Sequence, residues 1–287
     1  MKTRQAILVF VQIFIVCLAW SYPAWADTAF ISSGGAAHLL TENKSVTMQS
    51  EVVKINVSSD LIRADCCFVF VNDGPACKVR MGFPDSTSSV AAARMEPPRG
   101  AFLSYESYVD GNKVKTETVR GDDPSAENTV WHASDVEFAA NEKKTVRDIY
   151  TLSPGMGRVS EKKGDAAKIL TYILHTASSW RGYIENADII ITFDKAALPQ
   201  PLRAVSVSTL PQDETGLDWG LSTPGTFAYK ASKAPKVRGQ TVRFQFADLR
   251  PSDKDDIIIF YGRMNRSQLF QYEEILHRKW EQQHAPK

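Results

Sequence analysis

The residues that could do chemistry in this sequence match none of the common catalytic motifs. The metalloprotease pattern His-Glu-x-x-His and the nucleophile-elbow pattern Gly-x-Ser-x-Gly are both absent from the sequence. The Gly-Met-Gly sequence at 155–157 begins like a dinucleotide-binding loop, but the third glycine of that motif does not follow. A glycosidase needs two carboxylates across a cleft, and the 33 acidic residues could supply such a pair without a linear motif.

The histidines do not have the spacing of a metal site. The sequence contains His38, His132, His175, His277 and His284. On a helix, His277 and His284 would stand about 10 Å apart along the axis, too far to share one metal. Glu274 and His277 form one Glu-x-x-His pair, whereas di-iron bundles use two such pairs on facing helices. We therefore predict neither a metal nor a cofactor, and we expect no catalytic residues to be identifiable from the sequence.

One short segment has the composition of a binding surface. Trp180, Arg181 and Tyr183 surround Gly182, and an aromatic pair with an arginine is a common way to build a recognition platform. His175 precedes this segment in a predicted strand and completes the candidate surface. The alternative is that Trp180 and Tyr183 close the end of a hydrophobic core, because large aromatic side chains supply much core area.

The first 26 residues have the three-part pattern of a secretory signal peptide. Lys2 and Arg4 provide the positive start, an uncharged apolar core follows, and Ala24-Trp25-Ala26 supplies the cleavage site. The core is shorter than the ~20 residues of a membrane anchor. We expect cleavage after Ala26, with a periplasmic or secreted mature protein that has no membrane span.

Charge argues against a nucleic-acid partner. Removing Lys2 and Arg4 from the 34 basic residues leaves 32 against 33 acidic residues, a formal charge of −1. A nucleic-acid-binding protein would show an excess or a stripe of basic residues. The partner that we expect is a protein or a component of the cell envelope.

Three cysteines remain in the mature chain: Cys66, Cys67 and Cys77. The strand patterns at 62–71 and 76–83, with Asn-Asp-Gly-Pro between them, predict a hairpin that ends at Pro84. In a regular hairpin Cys66 and Cys77 share a face but stand four positions apart, about 13 Å. A disulfide between them exceeds the ~7 Å limit and would form only if a bulge shortened the distance. The alternative is that the thiols are small buried apolar groups.

Short strand patterns separated by turn signals predict a mainly β, sandwich-like fold. Residues 51–57 alternate, with Val53, Ile55 and Val57 on one face. Further strands are expected in the ranges 101–109, 113–120, 134–139, 145–152, 168–176, 187–193, 226–230, 240–246 and 256–261. We predict a loop rich in serine, alanine and proline at 85–100, a polar loop at 121–125 and a solvated turn at 253–256.

The predicted organisation is one or two packed β subdomains with a helical tail. Residues 27–155 would form an N-terminal sandwich subdomain, and 156–265 a second one continuous with it, separated by the Pro-Gly-rich stretch at 153–157. Residues 266–287 should form a C-terminal helix with Ser267 as its N-cap. Its apolar stripe would contain Leu269, Tyr272, Leu276 and Trp280.

Two runs of residues are specific enough to compare with known families: the Met-Gly-Phe-Pro sequence at 81–84, and the Tyr-x-Leu-x-Thr, Trp-x-Gly-x-Ile and Ala-x-Ile run at 172–189. Together they resemble a family of exported bacterial proteins that is classed as a domain of unknown function. The resemblance covers roughly residues 40 to 260. It implies a bacterial origin and export, and brings no activity or catalytic residues with it.

Two hypotheses for function follow from the sequence. The first is a non-enzymatic exported β-sandwich that binds a protein or a cell-envelope component, and the absence of catalytic motifs favours it. The second is an envelope carbohydrate hydrolase that uses a pair of carboxylates. A concave site with two facing acids would distinguish the second from the first.

Overall fold

The computed structural model describes residues 32–87, 97–120, 129–160, 164–211 and 216–284. The predicted signal peptide, 1–26, and the predicted polar loop at 121–125 lie outside these ranges.

Two β-sheets contain most of the described chain. Within the described ranges, the first sheet has ten strands: β1 (Ser32–Gly35), β2 (His38–Leu39), β5 (Cys77–Thr87), β8 (Glu117–Arg120), β9 (Thr129–Phe138), β11 (Gly155–Ser160), β12 (Asp165–Ile173), β14 (Arg203–Ser206), β15 (Thr226–Lys230) and β18 (Ile257–Met264). The second has eight: β3 (Val46–Val57), β4 (Ile62–Asn72), β6 (Phe102–Val109), β7 (Asn112–Val114), β10 (Lys143–Leu152), β13 (Ile184–Phe193), β16 (Lys236–Arg238) and β17 (Thr241–Leu249).

The two sheets pack face to face over one hydrophobic core. Phe68 of the second sheet lies 6.3 Å from Phe83 of the first, measured between ring centroids, and Phe193 lies 5.1 Å from Tyr261 in the same way. All four of these rings are buried. The predicted mainly β, sandwich-like fold is confirmed, and so is the helical tail, α2 (Arg266–His284), which follows a short helix, α1 (Gly216–Gly220).

Parallel pairs join the early and late strands within each sheet. The strand order is β14-β15-β18-β12-β1-β5-β9-β8 in the first sheet and β16-β17-β13-β3-β4-β10-β6-β7 in the second. β1 pairs with β12 and β3 pairs with β13, both in parallel. Strands β1–β10 therefore occupy one end of each sheet and β12–β18 the other. The predicted subdomain limits at 155 and 265 stay a prediction.

Burial alternates along β3 as the sequence predicts. Val53, Ile55 and Val57 are buried, whereas Lys54 and Asn56 are exposed. The alternation extends back to Glu51, which is fully buried on the same face. Since successive side chains of a strand point to opposite faces, Glu51 faces the core between the sheets.

The predicted hairpin at 62–83 is wrong. β4 pairs with β3 and β10 in the second sheet, whereas β5 pairs with β1, β2 and β9 in the first. The turn carries the chain across the core, which lets the inward faces of β4 and β5 pack on each other. Asn72 holds this turn, since its side-chain amide donates to the carbonyls of Pro75 at 2.8 Å and Ala139 at 2.9 Å.

The predicted end of the strand at Pro84 is also wrong, because β5 continues to Thr87 with Pro84 opposite Trp131. On the other side of β5, β2 pairs at 81–82 and β1 pairs at 85–87. Pro84 therefore lies where the neighbouring ladder is interrupted, and its missing N–H leaves no gap in the pairing. Part of the loop predicted at 85–100 is strand, and 88–96 lie outside the described ranges.

The predicted hairpin around Asp110 and Gly111 is confirmed only in part. β6 pairs with β7 across these two residues, which have φ values of 49° and 80°. The rest of the predicted second strand, β8, crosses to the first sheet and pairs with β9. The strands predicted at 134–139 and 145–152 also form, as β9 and β10, but in different sheets.

Asn265, and not the predicted Ser267, caps the tail helix. The Asn265 side chain accepts the backbone N–H of Gln268 at 3.0 Å, and the Gln268 side chain accepts that of Asn265 at 2.9 Å. This reciprocal pair is a capping box. On the predicted stripe, Tyr272 and Leu276 are buried and Leu269 is partly buried. The position of the Trp280 side chain is not among those that the structure describes.

Candidate functional site

Trp180, the largest residue of the predicted binding surface, belongs to the core. It is 5% exposed, its ring centroid lies 4.6 Å from that of Phe70, and its indole N–H donates to the carbonyl of Ala37 at 2.7 Å. The hydrogen bond to Ala37 ties the turn before β13 to the segment between β1 and β2. Trp180 therefore follows the second of the two interpretations, in which a large aromatic side chain closes the end of the core.

Arg181 and Tyr183 lie on the surface, as a binding platform would require. Arg181 forms an ion pair with Asp73 of the turn between β4 and β5. Tyr183 is 59% exposed, which makes it one of the few large hydrophobic side chains that the described surface displays. The predicted surface is therefore divided, with one aromatic inside the protein and one outside.

His175 is held by the acidic turn at 253–256, which the sequence suggested was merely solvated. Its Nδ1 lies 2.7 Å from a carboxylate oxygen of Asp256 and 3.7 Å from one of Asp253. Asp256 also accepts the backbone N–H groups of Leu174 and His175, at 2.8 and 3.0 Å. Asp256 thus fixes the start of the 3₁₀ turn at His175–Ser179, and the His175 side chain is one of the hydrogen-bond partners of Asp256.

A second histidine, His38, lies in the same region. Its ring stacks on Trp131 with centroids 4.8 Å apart, and its Nδ1 lies 2.9 Å from the carbonyl oxygen of Thr176. Burial lowers the pKa of His38, and the neighbouring His175 lowers it further. In the part of the chain that the structure describes, no group of three or more histidine, cysteine, aspartate or glutamate side chains could hold a metal ion.

Two buried carboxyl groups belong to a polar cluster between the sheets. Asp85 bonds to Nε2 of His132 at 2.9 Å and accepts the backbone N–H of Phe102 at 3.1 Å. The His132 ring stacks on Tyr105, whose hydroxyl donates to Asp148 at 2.8 Å. Burial raises the pKa of Asp85, and it raises that of Asp148 to about 6. Each carboxyl has hydrogen-bond partners, and the cluster anchors the chain where it re-enters the sheets at 101–102.

Glu51 is the one buried carboxyl whose two oxygens have no hydrogen-bond partner among the described residues. It is 0% exposed on the inner face of β3, and burial raises its pKa to about 8. Burial therefore favours the neutral, protonated form of Glu51. Burial of an unsatisfied polar group costs roughly 1–3 kcal/mol. Such a cost is more often found at functional positions than elsewhere in a fold.

A groove of about 560 Å³ lies directly outside Glu51, on the outer face of the second sheet. Three neighbouring strands, β3, β13 and β17, form its floor. Its lining residues are Ser50, Glu51, Val52, Asn186, Ala187, Asp188, Lys233, Arg243, Gln245, Phe246 and Ala247. The register pairs Asp188 with Val52 on one side and with Gln245 on the other, so these three side chains share the outer face.

An ion pair joins two of the strands that form the groove floor. Arg243 donates from Nε and Nη2 to the two carboxylate oxygens of Asp188, at 2.6 and 2.5 Å. This bidentate geometry holds both side chains in one orientation. Val52 beside them is 38% exposed and provides an apolar patch on the floor.

The rim of the groove carries basic and amide groups. The Lys233 ammonium lies 5.5 Å from the ring centroid of Phe246, and Lys236 donates to the side-chain oxygen of Gln245 at 3.2 Å. At the other end, Gln49 donates to the carboxylate of Glu185 at 3.2 Å. Tyr183 lies three residues before Asn186, about 10 Å away along the strand direction.

A smaller cavity of about 250 Å³ lies at the far end of the same strands. It is lined by Asn56, Val57, Ser58, Leu61, Arg63, Thr192, Phe193 and Asp194. Asp194 accepts the backbone N–H of Ala197 at 2.6 Å, a local bond that stabilises the following turn. This cavity contains one acidic residue and offers fewer polar side chains than the larger groove.

Among the described residues there are three cysteines, and Cys66, Cys67 and Cys77 are all free thiols. Cys66 is buried on β4, whereas Cys77 begins β5 in the other sheet, with its sulfur 3.9 Å from the hydroxyl of Ser45. Burial raises the pKa of the Cys66 thiol, and it also raises that of Cys67. Both shifts make these thiols less reactive at neutral pH.

Among the helices that the structure describes, none has the length and apolarity to span a bilayer.

The fold resembles solved structures, although no family model and no curated protein matches the chain. The crystal structure of a "putative nutrient binding protein" from Legionella pneumophila superposes with a TM-score of 0.58 and 12% sequence identity, covering 84% of this chain and 74% of that one. At this identity the likeness shows the fold alone.

Two metallopeptidase structures share less of the architecture. The M1 zinc metallopeptidase from Deinococcus radiodurans gives a TM-score of 0.34 at 10% identity, covering 76% of this chain and 43% of that one. The yeast LTA4 hydrolase gives 0.40 at 9% identity, covering 77% and 30%. This chain therefore spans less than half the length of either peptidase.

Proposed function

We propose that the mature protein is an exported, non-enzymatic binding protein that holds a cell-envelope component or a protein in the groove of the second sheet. The observation that carries the proposal is the Asp188–Arg243 pair. It is fixed in bidentate geometry on two hydrogen-bonded strands that form the floor of a 560 Å³ groove. Polar groups placed on a rigid floor are what specific ligand binding requires.

The arrangement of carboxyl groups favours binding over hydrolysis. Of the acidic residues that line the groove, Glu51 points into the core and Asp188 points outward, so the two cannot act on one glycosidic bond. Asp188 is also neutralised by Arg243. The alternative function, an envelope carbohydrate hydrolase, therefore lacks its pair of facing acids at this groove.

Export through the predicted signal peptide and kinship with the exported bacterial family of unknown function remain parts of the same proposal. The residue runs at 81–84 and 172–189 support the kinship. The likeness to the Legionella protein is compatible with a role in binding, as that protein's name states for it.

The test compares two matched arginines on the outer face of the second sheet. Arg147 pairs with Asp65 in the same bidentate geometry, at 2.8 and 2.5 Å, but does not line the groove. Both arginines are about half exposed, at 45% for Arg243 and 50% for Arg147. Arg243→Gln and Arg147→Gln should therefore each lower the free energy of unfolding by about 1 kcal/mol. Immobilised wild type and both variants, spanning residues 27–287, would be incubated with native envelope extract.

We expect a component that binds to wild type and to Arg147→Gln but is lost from Arg243→Gln. Equal recovery on all three proteins would place binding elsewhere and overturn the assignment of the groove. Turnover of the retained component by the wild type would overturn the non-enzymatic part of the proposal.

A further inference from the structure

We infer that the ligand of this groove is a neutral, polyhydroxylated molecule, that is, a carbohydrate. The inference rests on the proposed function and names the chemical class that the groove selects. It starts from the hydrogen-bonding capacity of the side chains on the floor. Ser50, Asn186 and Gln245 carry a hydroxyl or an amide, each of which can both donate and accept hydrogen bonds.

The Asp188–Arg243 ion pair has the same dual character. Arg243 uses two of its five N–H donors on Asp188, and the carboxylate keeps lone pairs that Arg243 does not occupy. The charges of the pair cancel, so an ion approaching either partner would also meet the opposite charge. The pair therefore presents donors beside acceptors without a strong preference for cations or anions.

Hydroxyl groups fit such a floor better than ionised groups do. An ammonium group only donates and a carboxylate or phosphate only accepts, whereas each hydroxyl of a sugar does both. A buried group that is left without a partner costs about 1–3 kcal/mol, so a ligand that satisfies both functions at each position is favoured. Lys233 and Lys236 on the rim make an anion the main competitor, and the test includes it.

Apolar surfaces beside the polar floor suit the faces of sugar rings. Val52 exposes 38% of its surface within the groove and provides such an apolar contact beside the polar side chains. The volume of about 560 Å³ is that of a small-molecule pocket, which suits a short sugar chain.

The direct test titrates the mature protein with named probes while backbone amide signals are followed by NMR. The neutral probes are maltose, cellobiose and N,N′-diacetylchitobiose, and the charged probes are glutamate, lysine and inorganic phosphate. We expect at least one disaccharide to give saturable shifts centred on Val52, Asn186 and Gln245. Gln245→Ala should weaken its Kd about tenfold, the loss of roughly 1.4 kcal/mol, and Arg147→Gln should leave it unchanged.

A second arm covers glycans that the panel does not contain. Periodate cleaves vicinal diols, so pretreatment of the envelope extract should abolish capture by wild type, while pretreatment with protease should not. Capture that survives periodate, or groove shifts caused only by a charged probe, would overturn the carbohydrate inference and leave the proposed function in place. Capture that is insensitive to Arg243→Gln would instead overturn the proposed function.

Discussion

Glu51 and Asp188 lie on adjacent parallel strands, one register position apart, with their carboxyl groups on opposite faces of the sheet. Glu51 is paired in register with Ala187, and both are buried, whereas Asp188 is paired with the exposed Val52. The outer carboxylate is neutralised by Arg243, and the inner one has no hydrogen-bond partner among the described residues. A shift of one register position thus separates Asp188, whose carboxylate can contact a ligand, from Glu51, whose buried carboxyl group lowers stability.

Replacing Glu51 by methionine should stabilise the protein. The substitution keeps the length of the side chain and removes two buried oxygens that lack partners, so the free energy of unfolding should rise by about 1–3 kcal/mol at pH 7. Urea denaturation measures the change. Glu51→Gln is the control, because it leaves buried polar atoms in place and should not gain stability. A loss of stability in Glu51→Met would show that the carboxyl has a stabilising partner.

The pH dependence of stability should report on the same carboxyl. Its pKa is about 8 in the fold against 4.5 ordinarily, so the folded state binds the proton more tightly. The stability linked to this proton is fully present below pH 4.5 and is lost as the pH rises towards 8. The difference in unfolding free energy between Glu51→Met and wild type should therefore grow from pH 5 to pH 8. A difference that stays constant over this range would contradict a raised pKa.

Asp85→Ala should be among the more destabilising single changes in the protein. The substitution removes the partner of His132 and the acceptor of the Phe102 N–H group in a buried cluster. Breaking a buried hydrogen-bonded pair of this kind costs roughly 3–5 kcal/mol. Asp85→Asn, which keeps an acceptor oxygen, should lose less. Thermal or urea unfolding would measure both, and equal losses would show that the carboxylate charge itself is essential.

The cap of the tail helix gives a comparison between two neighbouring residues. Asn265→Ala should lower stability by about 1 kcal/mol, because it removes the acceptor of the Gln268 N–H group. Ser267→Ala should change stability by less than about 0.5 kcal/mol, since Ser267 is an exposed residue within the helix. The reverse order in urea denaturation would restore Ser267 as the cap.

Local patterns in the sequence predicted most of the strands but not the sheet to which each belongs. The alternation at 51–57 reflects the pleat of a single strand, and burial in the structure confirms it. The turn at 72–75 is equally visible in the sequence, yet the two strands that it joins enter different sheets. A turn motif determines where the chain reverses direction. Which strands form hydrogen bonds with each other depends instead on which apolar strand faces must be buried against one another.

The candidate site depended on the tertiary structure for the same reason. Composition and short-range periodicity predicted the mainly β class and the tail helix, whereas the sequence left open whether Tyr183 lies on the surface or in the core. Only the tertiary structure brought Ser50, Asn186 and Gln245 onto one surface, through pairing between strands far apart in the chain. It also placed Trp180 in the core, since its contacts with Phe70 and the carbonyl of Ala37 join segments that are far apart in the chain.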